Sequence, residues 1–152
     1  MVLLSQAAAL APPVLPRITQ LVIIAAGGRA LRWPPPRIAA HLLQLSQGRL
    51  VRCLLHGAAP GADQAIAAAA DQLGWPVQAF PAQWQRHGRD AGPMRNRRML
   101  EHACNQLSAL PSGAALLVVA FPGGRGTASL VQLSRRLQSR SAVPIELAQI
   151  SA

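Results

Sequence analysis

The chain has 152 residues, with 15 arginines, no lysine, five acidic residues and a formal net charge of +10. That length suits one domain able to bury a sizeable core, and with 3% aromatic residues the core must be aliphatic. The charge attracts anions (nucleotides, nucleic acid or acidic surfaces), while no apolar run reaches the length of a membrane span, which sets a membrane partner aside.

Residues 1–16, MVLLSQAAALAPPVLP, lack the charged start of a signal peptide and are broken by Ser5 and Gln6, so they are expected to be a disordered extension. The domain is expected over 17–152. Cys53 and Cys104 stand far apart without a CxxC or His-spaced partner and are expected to be buried reduced thiols, with no metal site or disulfide.

Gln20 to Ala26 (QLVIIAA) predicts a first strand, ended by Gly27-Gly28-Arg29. A glycine pair there lets backbone approach a phosphate, or simply makes a turn. Pro34-Pro35-Pro36 can open a helix in which Ile38, His41, Leu42 and Leu45 share one face, with Gly48 as its stop. His41 on that face is expected to be half-buried and no ligand.

Leu50 to Leu55 predicts the second strand, followed by His56-Gly57-Ala58-Ala59-Pro60-Gly61-Ala62-Asp63. Asp63 falls in the first turn of an alanine-rich helix, where its carboxylate complements the helix dipole or faces a ligand. A short third strand is expected over 76–80. Residues 81–93 are expected to be a loop, and the helix from Met94 carries Arg95, Arg97 and Arg98 near its start. Three arginines at that end oppose the dipole, which points to a local function or to a solvated basic face.

Ala114 to Ala120 is a continuous apolar run, expected as a strand buried on both faces. Pro122-Gly123-Gly124-Arg125-Gly126-Thr127 follows, with Arg125 expected in the loop and Thr127 at or near the N-cap of the next helix. Glycines that admit close backbone approach, together with unpaired amides and the positive dipole end, make an anion site, most often for phosphate. The competing account is a turn needing glycine for geometry alone. Arg135, Arg136 and Arg140 suit the negative end of that helix, and a last strand is expected over 143–147.

The alternation of strands and helices predicts a Rossmann-like, three-layer α/β domain with a mostly parallel five-stranded sheet. Ligands bind such sheets at the strand C-termini, where strand order reverses. GGR, HGAAPGAD and FPGGRGT would then share one rim.

HGAAPGAD, FPAQWQRHGRDAGPMRNRRML and AFPGGRGT together resemble the YspA-type (YpsA-related) branch of the SLOG superfamily, over roughly residues 20–147. That superfamily groups Smf/DprA-like domains with Lonely Guy enzymes, and members of this branch are often bacterial or phage-encoded. The resemblance implies a ligand site made of Gly27, Gly28, Arg29, His56, Gly57, Gly61, Asp63, Arg95, Asn96, Gly123, Gly124, Gly126 and Thr127, to which the loop reading adds Arg125. The chain departs from the branch pattern at Ala30, Ala58, Pro60 and Gln83, all on the sugar-binding and polar side. Lonely Guy phosphoribohydrolases carry a glutamate three residues after the threonine of PGGxGT; here that position is Leu130, which can neither move a proton nor stabilise an oxocarbenium-like state. No catalytic residue, metal or cofactor is therefore expected. The implied function is binding or sensing of a nucleotide or nucleotide-derived ligand in the cytoplasm. A nucleoside-monophosphate phosphoribohydrolase is the alternative and DprA-like nucleic-acid binding the third reading, with homo-oligomerisation left open.

Overall fold

Strand β1, Gln20–Ala26, lies at the centre of a five-stranded sheet with β2 (Leu50–His56), β3 (Val77–Ala79), β4 (Ala114–Ala120) and β5 (Ile145–Gln149). The order is β3-β2-β1-β4-β5 and every pairing is parallel. The computed structural model describes residues 17–152; the extension expected over 1–16 lies outside the described residues.

Alternation along the strands divides the core in two. Leu21, Ile23 and Ala25 of β1 join Leu117 and Val119 of β4 on the face covered by helices α1 (Pro35–Ser46) and α2 (Ala62–Gln72). Val22 and Ile24, with Leu116 and Val118, face the other way, toward Met99, Ala103 and Leu130. Those three belong to α4 (Ala91–Ser108) and α5 (Arg125–Gln138). All seven residues of β4 are buried, as its unbroken apolar run requires.

Three expected boundaries move by more than one residue. The segment 81–93 is largely ordered: Trp84–His87 forms a short helix, α3, Gly88–Asp90 is a 3₁₀ turn, and α4 begins at Ala91 rather than Met94. Helix α5 starts at Arg125, so that residue is helical and Thr127 is the third residue of the helix; Gly124 is the N-cap. Strand β5 is displaced to Ile145–Gln149, because Pro144 lacks an amide for the ladder and instead accepts a hydrogen bond from the Leu116 amide at 2.9 Å. Cys53 is buried and Cys104 half-buried, both free. Among the described residues no helix is long and apolar enough to cross a membrane.

Candidate functional site

A parallel sheet sends every strand C-terminus to the same rim, and the order reverses between β1 and β4. The loops after these two strands are locked together there. The Phe121 amide donates to the Ala26 carbonyl at 2.8 Å and the Gly28 amide to the Pro122 carbonyl at 2.9 Å. A Cβ on Gly28 would stand 3.0 Å from the Gly123 Cα, and one on Gly123 would strike Thr127 Oγ1 and stand 2.7 Å from the Gly28 amide. Only glycine allows this close approach. The β2 loop joins from the other side: the Ala62 amide donates to the Gly28 carbonyl at 3.1 Å.

Gly124 and Gly126 differ from these packed glycines, because a Cβ at either would meet nothing within 4 Å. They face open space at the start of α5, and no side chain caps that end. The first amides of the helix, at Arg125, Gly126 and Thr127, therefore have no intrahelical acceptor and present a positive dipole end beside an exposed Arg125. An anion can be held there by backbone alone.

Behind the rim lies a buried polar group made of His56, Asp63, Arg95 and Asn96. His56 Nδ1 accepts a hydrogen bond from the Ala58 amide at 3.0 Å, and Asp63 Oδ2 accepts one from the Ala59 amide at 3.1 Å. Arg95 donates from Nη1 to the Gly57 carbonyl at 2.6 Å and from Nε to Asn96 Oδ1 at 2.9 Å. Asn96 Nδ2 then donates to the Gly126 carbonyl at 3.1 Å. Arg95 and Asn96 thus brace the β2 loop against the glycine loop, 38 and 30 residues away in sequence.

Burial lowers the pKa of the His56 imidazole, with Asp63 opposing and Arg95 adding to the fall. Burial raises that of the Asp63 carboxyl, against the Ala59 amide, His56 and Arg95. Asp63 Oδ1 is buried without a hydrogen-bond partner.

The expected site residues are brought to one rim, but they do not all do one thing. Gly27, Gly28 and Gly123 serve close packing, Gly57 makes room for the Arg95 guanidinium, and Gly61 takes φ +81° against the Arg29 carbonyl. Gly124, Arg125 and Gly126 face outward, and Thr127 is buried against Gly123. The Arg29 side chain lies over the Trp84 ring, 5.3 Å from its centroid. Beside the glycine loop runs a groove of about 380 Å³ that sequence patterning did not single out, lined in part by Gln132, Arg135 and Gln149. A hollow of about 480 Å³ between Arg17 and Arg49 opens at the strand N-termini, away from every rim loop, and takes no part in the site. Among the described residues no three His, Cys, Asp or Glu side chains gather as metal ligands would.

These features define a Rossmann-like α/β domain whose rim loops meet at the reversal of strand order. Within that class, residues 21–87 match the model of the YspA, cpYpsA-related SLOG family, which bears out the resemblance carried by HGAAPGAD and its neighbours. The match runs from β1 through α3 and covers the first two rim loops. It points to a nucleotide-related function. No curated protein and no solved structure matches the chain.

Proposed function

We propose that the protein binds a phosphorylated nucleotide or nucleotide-derived ligand at this rim, as a sensor or partner-regulated module. The observation that carries this reading is the uncapped start of α5, where Gly124 and Gly126 leave open space in front of free amides at the switch point. Arg125 adds a charge-assisted hydrogen bond to the phosphate. Arg95, held by the Gly57 carbonyl and Asn96, supports the loops and adds positive potential from behind.

Binding without Lonely Guy-type hydrolysis is supported by Leu130. It is fully buried, packed with the core between the sheet and α4, and offers no group to a glycosidic bond. Release of free base from a panel of nucleoside monophosphates should therefore stay near background. Enzyme-like turnover that Thr127→Ala or Arg95→Ala abolishes would contradict this. The small molecule freed on denaturing the purified protein, identified by mass spectrometry, should carry both a phosphate and a nucleoside. Consistent recovery of an unphosphorylated ligand would move the site elsewhere.

A further inference from the structure

The groove beside the glycine loop shares Gly123, Gly124 and Thr127 with the proposed phosphate site and continues along α5 toward the end of β5. Its lining is mainly polar, with Gln132, Arg135 and Gln149 around it; Phe121 and Val131 lie almost wholly buried beneath, and Pro122 and Ile150 supply a small half-buried apolar patch. Thr127, Val131 and Arg135 are four residues apart, so they form one stripe on the helix, about 12 Å long at 1.5 Å per residue. A single phosphate cannot fill such a space. A volume of about 380 Å³ is within the range of small-molecule sites.

We infer that this groove takes the nucleobase of the ligand, so that the molecule extends from the phosphate loop toward β5 and not across Arg29 and Trp84. The inference rests on the phosphate reading above. The Pro122 and Ile150 patch can take one face of a planar ring, while the two glutamine amides can donate to and accept from its edge and Arg135 donates only. A base with acceptors directed at Arg135 is therefore favoured. In the competing direction, the Arg29 guanidinium lies over the Trp84 ring, 5.3 Å from its centroid.

The test compares inorganic phosphate, ribose 5-phosphate and the four common nucleoside 5′-monophosphates by calorimetric titration. The best nucleotide should bind about tenfold or more tightly than ribose 5-phosphate, since the base adds contacts of its own. Ala128 lines the groove from an exposed helical position, so Ala128→Trp should fill the groove without disturbing the core. That variant, and Arg135→Ala, should bring nucleotide affinity down toward that of ribose 5-phosphate while leaving ribose 5-phosphate within about twofold. If both variants keep the full nucleotide preference while Gly124→Val abolishes all phosphate-dependent binding, the phosphate site stands and the groove assignment falls. A preference lost in Trp84→Ala instead would place the base on the Arg29 side and overturn the inference. Absence of binding by every phosphorylated probe to the unaltered protein would remove the phosphate reading, and the groove assignment with it.

Discussion

Ala58 adopts φ +55°, a left-handed conformation that costs a residue with a Cβ about 1–2 kcal/mol. Glycine takes this conformation without that cost. Ala58→Gly relieves the strain but gives the unfolded chain about 0.4–1 kcal/mol more entropy to lose. The expected net effect runs from about zero to a stabilisation of about 1.5 kcal/mol in denaturant titrations. A destabilised variant would show that the left-handed geometry is not that of the folded loop.

The next prediction concerns His56. Because its folded pKa lies below the ordinary 6.5, the unfolded chain binds more protons between the two values. Its contribution to stability is therefore complete above 6.5 and is lost as pH falls through that window. Asp63 has the opposite sign: its folded pKa lies above 3.8, so its contribution is present below 3.8 and is lost as pH rises through the raised value. Asn at position 56 keeps an acceptor for the Ala58 amide and removes the titration. His56→Asn should therefore lose less stability than the parent between about pH 7.5 and about pH 5.5, measured by denaturant midpoints. Equal losses in both would assign the acid sensitivity to other groups.

Among the elements, α4 shows how far local patterning reaches. Its arginines look misplaced against the helix dipole when the helix is started at Met94. With the start at Ala91, Arg95 lies a turn further in, and its guanidinium grips the Gly57 carbonyl. No periodicity encodes a contact across 38 residues, whereas the RN pair was visible through its resemblance to the family. Arg97 and Arg98 remain on the exposed side of the helix, as a solvated basic face would have them. The brace can be tested through Asn96→Asp, which keeps the shape but replaces the donor to the Gly126 carbonyl by an acceptor. A cost of about 1–3 kcal/mol is expected in thermal or chemical unfolding. An unchanged stability would mean that Asn96 does not hold the glycine loop.

Across the whole molecule, the class, the five strands and the common rim were legible because strand C-termini carry small-residue loops and the strands have continuous apolar runs. The groove was not legible. It needs β5 beside β4 and one face of α5 beside both, and the arginine at 135 had a sufficient local explanation in the helix dipole. Charge is also a property of the whole. The Arg49–Glu146 ion pair, bidentate with 2.7 Å from Nη1 to Oε2 and 3.0 Å from Nη2 to Oε1, joins the start of β2 to β5 and neutralises one arginine. The remaining arginine excess should attract DNA without reading it. Log affinity for duplex DNA should fall steeply and linearly with log salt and hardly depend on sequence. Tight, sequence-selective binding at physiological salt would instead support the nucleic-acid reading.

The central claim is that α5 and the glycine loop hold a phosphate, and the thermal shift of matched nucleotide and nucleoside tests it most directly. A nucleotide at 100 times its dissociation constant should stabilise the fold by about 2.7 kcal/mol, a rise on the order of 5 to 10 °C in Tm. The nucleoside should give little of this. Gly124→Val should remove the nucleotide's effect, since its side chain enters the open space before the helix without meeting the fold, and Arg140→Ala should leave it intact. Equal shifts from nucleoside and nucleotide, or a full shift in Gly124→Val, would contradict the phosphate site and leave its glycines as turns.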